Sequence, residues 1–521
     1  GGDSALATAI ALGVCGSKVT ISYRREEFSR PKPDNVERLQ KLQDNGGLQL
    51  MMASAVESIE ADQVTLAQGD GKSTTIANDS VFTMIGRQAP LDFFRRSGVR
   101  ISGEWTRKSA LTFTAFLLFC TALYDWKSGG YLDKLGRSIG GCPFDLANWF
   151  SNLEPTSILG ITVASASGPA FWYTLAYSTL VVVFGIRRIQ RRKTPYVKVQ
   201  TYSLMAVQVL PLFLLPEIIL PWLNYHGLLP GGIADALFPV VDYGHGREFW
   251  RAYGLILAWP LMVYNIFTHE PLWGWIILGS FQTLVIIPAL IYFFGKGAYC
   301  GWICSCGALA ETLGDTHRHK MPHGPRWNRL NMLGQGILAL AVAMLLVRIA
   351  GWIWPGVSWL NTINLAAKDG TGLPGILHLA SYKWFVDVFL AGVLGYGFYF
   401  WYSGRTWCRF ACPLAALMHI YARFSRFRIL ADKKKCISCN VCTSVCHQGI
   451  DVMSFANKGK PMEDVECVRC SACVQSCPTG VLTFGQVDRK SGRVVGVDRL
   501  AASPVQMAEQ QSRPAPIAPH S

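Results

Sequence analysis

Cysteine is the residue type that could carry most of the chemistry in this sequence. Eight of the 16 cysteines fall into two runs near the C-terminus, CISCNVCTSVCHQG and CVRCSACVQSCPTG, and both have the spacing Cys-x2-Cys-x2-Cys-x3-Cys. At this spacing the first three thiolates of a run bind one 4Fe-4S cluster, and the fourth reaches the other cluster. The predicted ligand sets are Cys436, Cys439, Cys442 and Cys477 for one cluster, and Cys467, Cys470, Cys473 and Cys446 for the other.

Two zinc knuckles are the alternative interpretation of these runs. Three thiolates at x2-x2 spacing suit a cubane better than the two pairs of ligands that tetrahedral zinc prefers. Pro478 follows the last cysteine, as is usual, whereas His447 stands where a proline is expected after Cys446. We expect this exchange to change a turn and not the ligand set. Cysteine used in this way indicates metal binding in a reducing compartment.

Two further cysteine pairs have a wider spacing. Cys300 and Cys304 are four positions apart, as are Cys408 and Cys412, and each pair follows an apolar run. Residues at this spacing share one face of a helix or helical turn. We therefore expect the four thiols to converge into one site at the membrane edge, which suits a third cluster or a soft metal such as Cu(I).

Two alternatives remain for these pairs. A redox disulfide could form within one pair, and cysteine also packs well as a small apolar residue. Packing alone is the interpretation for Cys15, Cys120 and Cys142. Cys306 is an additional thiol beside the first pair, and we expect its replacement to be tolerated.

The first residues suggest a nucleotide site. The stretch GGDSALATAIALG has no initiator methionine and matches the later part of a G-x-G-x-x-A fingerprint, with Gly2 and Ala5 in the last two positions. We expect the native chain to continue upstream. Arg24 and Arg25 stand about 20 residues further on, where arginines accommodate the 2′-phosphate of NADPH. The alternative is a degenerate Rossmann unit that binds nothing, with both arginines simply solvated.

The surrounding pattern supports a nucleotide domain. Strands are predicted in KVTISY and LQLMMASAVESIEADQVTLAQ, and a closing strand and turn in SVFTMIGRQAPLDFF. With GGDSA and YRREEF, these segments resemble the pyridine-nucleotide domain of thioredoxin-reductase-like flavoproteins over residues 1–103. Those proteins then complete an FAD domain, whereas this chain continues into GEWTRKSALTFTAFLLF. FAD would therefore have to be held by the upstream part.

Long apolar runs must position these groups. Half of the sequence is apolar and only 16% is charged, against about 25% in soluble domains, so we predict an integral membrane protein with soluble parts. A span needs about 20 apolar residues. The six predicted spans are 109–126, 168–186, 202–223, 272–294, 331–354 and 384–402. The net charge of +15 is clustered beside these runs, which predicts contact with anionic lipid and no nucleic-acid partner.

Positive charge also predicts the orientation. The basic stretches 187–193 and 315–329, and the arginines that follow the last span, should be cytoplasmic, as should both termini. The loops near 127–167, 224–249 and 355–383 should face outward. They are poorer in positive charge.

Two features inside the apolar region need separate interpretation. The stretch 253–267 contains Pro260, and a crossing there would put the termini on opposite faces, so we expect it to be re-entrant or interfacial. Glu217 lies within a predicted span, where an acid is a functional hypothesis by default. It would be a quinone-linked proton carrier, or an acid near the interface or hydrogen-bonded to a neighbouring helix.

Three motifs together carry a second resemblance. GKGAYCGWICSCGALAE, GRTWCRFACPLAAL and the ferredoxin run resemble the NosR/NapH/CcoG family of membrane polyferredoxins over about residues 250–486. The two membrane-edge motifs of that family are Cys-x3-Cys-Pro. The second motif here matches through Pro413, whereas the first has Ser305 in place of the proline and the added Cys306.

The expected fold is therefore multi-domain: a partial α/β Rossmann-like domain, an α-helical membrane domain of about six spans, and an α+β ferredoxin-like domain with two 4Fe-4S clusters. The predicted boundaries are 1–104, 105–428, 429–486 and a flexible tail at 487–521.

The family resemblance implies electron transfer in a bacterial-type inner membrane, between a cytoplasmic or quinone pool and a partner reductase or maturation system. The nucleotide domain suggests NADPH as the donor. Two alternatives are a quinol-dehydrogenase subunit that feeds a periplasmic reductase, and a redox-sensing regulator or metal-centre assembly factor.

Overall fold

The computed structural model describes residues 2–28, 31–68, 72–84, 90–99, 101, 103–140, 143 and 145–512. Its residues form two compact units. The first contains Gly1–Glu104 with Leu430–Asn440 and Val452–Met462, and the second contains Trp105–Ile429, Val441–Asp451 and Glu463–Ser521. The chain is a multi-domain protein with a nucleotide-domain-like part, a membrane region and a ferredoxin-like part, as predicted.

The first unit begins with a βαβ arrangement. The strands Val19–Tyr23 and Leu48–Met52 pair in parallel, and the helix Pro33–Asp44 lies between them in sequence. The helix Asp3–Val14 precedes the first strand. Leu6 and Leu39 are fully buried and belong to the same small apolar core. This core holds the helices on the two parallel strands, which is the local framework of a dinucleotide-binding unit.

An antiparallel sheet follows in the same unit. It consists of Ser54–Ile59, Gln63–Gln68 and Ser73–Ala77 in sequential order, and a short helix spans Leu91–Arg96. The predicted closing strand in SVFTMIG is wrong for residues 80–84, which form no strand. Residues 85–89 of the predicted strand and turn lie outside the described residues.

Five helices in the described part of the second unit are long and apolar enough to cross a membrane. They are Arg107–Lys127, Pro169–Arg192, Pro195–Tyr225, Trp273–Phe294 and Pro325–Ile353. The third contains a π-helical stretch at Leu210–Ile219, where Pro211 and Pro216 supply no N–H group. Loss of these donors explains the wider turn, because the regular helical ladder cannot form there.

The sixth predicted span, 384–402, does not coincide with one long helix. It overlaps the π-helix Tyr382–Leu394 and contains the helix Gly395–Gly397, after which the chain turns. The stretch 253–267 contains two short 3-10 segments, the end of Phe249–Leu255 and Val263–Asn265, and no long helix. The number of crossings stays a prediction, as does the orientation.

Short helices connect the long ones in the second unit. They are Tyr131–Ile139, Leu146–Trp149, Ile158–Ala166, Gly231–Leu237, Gly297–Cys300, Ser305–Thr312, Leu313–Lys320, Ser358–Asp369, Gly375–Ala380, Thr406–Phe410 and Pro413–Ala422. The largest buried apolar cluster of this unit contains Cys300, Cys304, Cys408 and Cys412.

The C-terminal part is built from small elements. The strands Phe427–Ala431, Leu482–Val487 and Val494–Asp498 form one sheet, and the short helices are Lys433–Lys435, Val441–Ser444, Val452–Lys458, Ala472–Gln475, Arg499–Ala501 and Pro504–Ser512. Residues 487–512 differ from the predicted flexible tail. Val494–Asp498 pairs with the preceding strand, and Gln506 donates to the carbonyl oxygen of Gly480 at 2.7 Å. Residues 513–521 of the tail lie outside the described residues.

We predict that reporter fusions after Lys193, Gly324 and Ala431 will read as cytoplasmic and one after Gly370 as external, because positive loops stay inside. Reporter enzymes with opposite compartment requirements measure this. An external signal at Ala431 alone would mean that 382–397 does not cross. An external signal at Gly324 would contradict the whole orientation.

Candidate functional site

The two cysteine runs share an unusual backbone. Ser438 and Arg469 each stand two residues after the first cysteine of their run, and both have a positive φ, of 55° and 49°. Asn440 and Ser471 each follow the second cysteine directly, with φ of 63° and 61°. Residues other than glycine rarely adopt this conformation. It turns successive N–H groups inward, as in the backbone nests of many iron–sulfur sites, so both loops are folded to receive an anionic cluster.

The second predicted ligand set comes together in the structure. Cys446, Cys467, Cys470 and Cys473 interact electrostatically with one another, and all four belong to the second unit. Burial raises the pKa of the Cys446 thiol to about 12, with a further contribution from Cys470. Without metal the thiol is protonated, so a bound cluster would displace protons.

The first predicted ligand set consists of Cys436, Cys439, Cys442 and Cys477. Cys436 and Cys439 belong to the first unit, and Cys442 and Cys477 to the second. The Cys436 thiol lies 3.1 Å from the amide oxygen of the buried Asn457. The assignment of these four cysteines to one cluster stays a prediction.

The predicted nucleotide-binding residues lie in two places, at the start of the first helix and just after the first strand. Gly2 caps the helix Asp3–Val14, and its carbonyl oxygen accepts from the N–H of Ala5 at 3.0 Å. Arg24 and Arg25 are exposed and directly follow the strand Val19–Tyr23. Ligands of open parallel sheets bind beyond this end of the strands.

Asp3 is a residue that the sequence analysis did not identify. One of its carboxylate oxygens accepts from the backbone N–H of Lys32 at 2.7 Å and from the side chain of Asn35 at 2.9 Å. It therefore ties the start of the first helix to the end of the loop that carries both arginines.

The two membrane-edge motifs have the same local structure. Cys300 ends one short helix and Cys304 is the N-cap of the next, Ser305–Thr312. Cys408 lies likewise in a short helix and Cys412 is the N-cap of the next helix. The prediction that each pair shares one helical face is wrong, because each pair spans a turn between two helices. The turn closes in both motifs with an N–H from the second cysteine to the residue before the first, at 3.0 and 2.9 Å.

The four thiols nevertheless converge. Cys300, Cys304, Cys408 and Cys412 are all buried and interact electrostatically. Cys306 joins them: it forms a side-chain hydrogen bond with Cys304 and interacts with both cysteines of the second motif. Sequence reasoning set Cys306 apart because it falls outside the family motif.

The pKa of one thiol in this group shifts in the opposite direction to the pKa values of Cys300, Cys408 and Cys412. The hydrogen bond from Cys306, followed by backbone N–H groups of Cys306 and Gly307, lowers the pKa of Cys304 to about 6, although burial opposes the shift. Burial raises the pKa of Cys300, Cys408 and Cys412. Cys304 at the start of a helix is therefore the thiol of the group that loses its proton most readily, consistent with the preference of helix N-termini for negative charge.

Two buried cations stand beside the thiols. The ammonium of Lys296 lies 2.6 Å from a carboxylate oxygen of Glu466, and the guanidinium of Arg405 donates to the carbonyl oxygen of Cys300 at 3.1 Å. Both cations interact with Cys300 and Cys408. Such charges would offset the negative charge of thiolates out of water.

The second cysteine run packs directly on the first membrane-edge motif. A Cβ atom on Gly297 would lie 2.3 Å from the carbonyl oxygen of Val468, and one on Gly301 would lie 2.9 Å from the same oxygen. Val468 lies between Cys467 and Cys470. Only glycine permits this approach, which places the backbone of the second cysteine run directly against the first membrane-edge motif.

A buried carboxylate occupies the same region. The side chain of Glu311 is fully buried and accepts from Arg405 at 2.7 Å, from Arg188 at 3.1 Å and from Arg318. Burial alone would raise the pKa of Glu311, but the guanidinium groups of Arg318, Arg405 and Arg188 hold it well below its usual range. Glu311 is therefore an anion.

Glu311, His447 and Cys470 also have the composition of a small metal site, since their ligand atoms lie within 4.8 Å of one another. The three guanidinium groups around Glu311 argue against a cation there, because they already neutralise the carboxylate. His447 is buried, and its pKa is lowered by burial and by Arg318, whose guanidinium lies 3.1 Å from the ring. The residue expected to alter only a turn is thus a neutral partner of Arg318.

Glu217 is hydrogen-bonded to neighbouring segments. Its carboxylate accepts from the hydroxyl of Tyr253 at 2.9 Å, and its backbone oxygen accepts from Ser165 at 2.7 Å. Ser165 lies 2.8 Å from the ring of His245. This is the arrangement expected for an acid bonded to a neighbouring segment.

The three cysteines predicted only to pack differ. Cys120 is buried, whereas Cys15 is exposed at the end of the first helix, so the packing interpretation is wrong for Cys15. Cys142 lies outside the described residues.

Three known domain families match parts of this chain. A 4Fe-4S binding domain matches residues 276–322 and 386–430, a 4Fe-4S dicluster domain matches 428–478, and a pyridine nucleotide-disulphide oxidoreductase domain matches 1–113. The first match covers both membrane-edge motifs. The predicted resemblance to a membrane polyferredoxin joined to a disulfide-oxidoreductase-like domain is confirmed.

Individual relatives match separate parts of the chain. YccM of Escherichia coli strain K12, which is named for electron transport, is 29% identical over 209 residues, 39% of this chain and 54% of its own. The regulatory protein NosR of Stutzerimonas stutzeri is 26% identical over 166 residues, 31% of this chain and 21% of its own. Bacilliredoxin reductase Bdr of Bacillus subtilis is 32% identical over 108 residues, 20% of this chain and 33% of its own. The chain thus spans about half the length of these relatives or less, and no solved structure gave a significant match.

We predict that Cys304→Ser and Cys412→Ser will each abolish the same spectroscopic species, and that the double variant will add little, because the thiols form one site. Electron paramagnetic resonance and metal analysis of the full chain measure this. Cys120→Ser is the control, a buried cysteine outside both membrane-edge motifs. Independent, additive losses would contradict a shared site.

Proposed function

We propose that this chain passes electrons from cytoplasmic NADPH, through two 4Fe-4S clusters, to the thiol site at the membrane edge and on to a membrane or periplasmic acceptor. Iron–sulfur electron transfer itself follows from the matched domains and the relatives' names. The observation that carries the finer proposal is the packing of Val468 on Gly297, because it joins a cluster-binding loop to the first membrane-edge motif. Electrons need not cross solvent between the two.

The two cysteine runs would hold the clusters, in the two sets predicted from their spacing. The fit rests on the matching left-handed residues in both loops and on the convergence of Cys446, Cys467, Cys470 and Cys473. Clusters bound there would supply one-electron oxidation and reduction.

The residues around the proposed clusters would hold the cysteine-containing segments in position and shield them from water. Lys296 bridges the two regions, since its ammonium binds Glu466, the residue before Cys467, and faces Cys300. Burial excludes water from the thiols, which strengthens the effect of each nearby charge. The chain thus contributes binding, orientation and electrostatics.

The group of Cys300, Cys304, Cys408 and Cys412 would hold a third cluster or a soft metal. The two-part match to a 4Fe-4S binding domain favours the cluster. The alternative is a redox disulfide within one cysteine pair. The lowered pKa of Cys304 is also compatible with this alternative, because a thiolate attacks disulfides.

The nucleotide domain would bind NADPH between the helix capped by Gly2, with Ala5 in its first turn, and the strand end with Arg24 and Arg25. The match to a pyridine nucleotide-disulphide oxidoreductase domain supports a nucleotide or a flavin.

We place the protein in a bacterial-type inner membrane, surrounded by lipid, with both termini and the ferredoxin part cytoplasmic. Its redox partner is a reductase or a maturation system.

A second candidate function is quinol oxidation that feeds a periplasmic reductase. The hydrogen-bonded pair of Glu217 and Tyr253 within the apolar region favours it, since an intramembrane acid can carry protons. A third candidate, a redox-sensing regulator or assembly factor, is favoured by the name of the relative NosR. Steady NADPH turnover with an artificial acceptor separates the first candidate from the others, and quinol-dependent cluster reduction separates the second from the third.

We predict that Cys439→Ser and Cys470→Ser will each lower the iron content of the full chain by about four atoms, and the double variant by about eight, because each removes one ligand of a different cluster. Iron and sulfide analysis after anaerobic reconstitution measures this. Cys15→Ser, an exposed cysteine outside the runs, is the control. Equal iron in all variants would remove the two-cluster assignment.

We predict that replacing Arg24 and Arg25 together with Ser will weaken NADPH binding much more than NADH binding. Each arginine that bonds the 2′-phosphate contributes about 1.5–3 kcal/mol, and NADH lacks that group. The ratio of the two dissociation constants measures the effect. Arg38→Ser, an exposed arginine on the helix Pro33–Asp44, is the matched control. Equal weakening for both nucleotides would defeat the assignment.

A further inference from the structure

Glu311 stands at the centre of a buried group of charges that the proposed function does not use. The group, called the Glu311 hub below, consists of Glu311, Arg188, Arg318, Arg405 and His447. All five side chains are at most 4% exposed.

The hub joins four separate parts of the second unit. Arg188 comes from the long helix Pro169–Arg192, and Glu311 from the helix that Cys304 caps. Arg405 precedes Cys408 in the second membrane-edge motif, and His447 follows Cys446 in the first cysteine run. No residue of the hub is a cluster ligand in the assignment above.

The hub carries an excess of positive charge. Asp315 is the second buried carboxylate beside it and accepts from Arg318 at 2.9 Å. Three buried guanidinium groups, those of Arg188, Arg318 and Arg405, thus face two buried carboxylates. Arg191 and Arg192 also reach Asp315 but are partly exposed, so solvent screens them.

The Glu311 hub lies beside the second predicted ligand set, which contains Cys470. The Glu311 carboxylate, the His447 ring and the Cys470 thiol come within 4.8 Å of one another. Arg318 interacts with Cys470 directly, and it bonds Glu311 and His447. On the other side, Arg405 binds both Glu311 and the carbonyl oxygen of Cys300.

Reduction of a 4Fe-4S cluster adds one negative charge to its site. In a buried site of low dielectric constant, a fixed cation nearby stabilises the reduced form and a fixed anion destabilises it. Arg318 and Glu311 are such fixed charges, and they act on the cluster in opposite directions.

We propose that the Glu311 hub raises the reduction potential of the cluster held by Cys446, Cys467, Cys470 and Cys473, with Arg318 as its principal positioning residue. The inference rests on the proposed function, since it needs that cluster to be present. A higher potential there makes this cluster the acceptor within the ferredoxin part. Because its loop packs on the first membrane-edge motif, electrons are then drawn toward the thiol site.

The test is a reductive titration of the reconstituted full chain, followed by electron paramagnetic resonance. In Arg318→Gln, the ratio of reduced to oxidised cluster at one fixed potential should fall at least tenfold, which is about 59 mV for a one-electron couple. Glu311→Gln should raise the same ratio. Opposite shifts from two variants of one ion pair are not expected from structural damage, which would move both in the same direction.

Three controls complete the experiment. Arg318→Lys keeps the charge and should restore most of the potential. Arg247→Gln breaks a more exposed ion pair with Asp235, whose carboxylate side chain is 69% exposed, and should shift nothing. If Arg318→Gln does not assemble, Arg188→Gln replaces it: this removes another buried guanidinium that interacts with Cys470, so the ratio should fall, opposite to Glu311→Gln.

Iron content is measured first and separates the possible failures. A chain without iron would defeat the proposed function. A fully loaded chain whose potentials stay unchanged in the charge variants, or shift in the same direction in Arg318→Gln and Glu311→Gln, would overturn this inference alone.

Discussion

The packing of Val468 on Gly297 is the contact on which the arrangement of the second unit depends. The backbone of a ferredoxin loop approaches the first membrane-edge motif so closely that any side chain at position 297 would collide with it. In this region the four membrane-edge cysteines and Cys473 are buried, whereas Cys446, Cys467 and Cys470 are partly exposed. A charged group enclosed there is costly unless it is paired, because water is excluded.

The buried ion pairs follow from that constraint. Lys296 is paired with Glu466, and Glu311 is paired with three arginines. Ion pairs of this kind add little net stability, because desolvation offsets much of their attraction. Their value here is positional and electrostatic: they hold the ferredoxin loop against the membrane-edge motifs and place fixed charge beside the thiols.

Two local backbone structures each occur twice in this chain. The two membrane-edge motifs place their second cysteine at a helix N-cap through the same turn, and the two ferredoxin loops repeat left-handed residues at matching positions. In both cases backbone N–H groups point toward sulfur. Backbone N–H dipoles can stabilise a thiolate in a protein interior without additional charged side chains.

The sequence by itself determined the features that depend on local spacing. Cysteine runs predicted the ferredoxin loops, and apolar length predicted the ranges of five long helices, because both patterns act within a few residues or one helix. Spacing alone could not show that Cys300 and Cys304 span a turn, that Cys306 joins their group, or that residues after 487 pair and pack. The charge partners were decided only by the tertiary structure. Arg188 and Glu311 are 123 positions apart, and no local pattern marks either as the other's partner. They meet because folding encloses them together, where an unpaired charge would be too costly to bury.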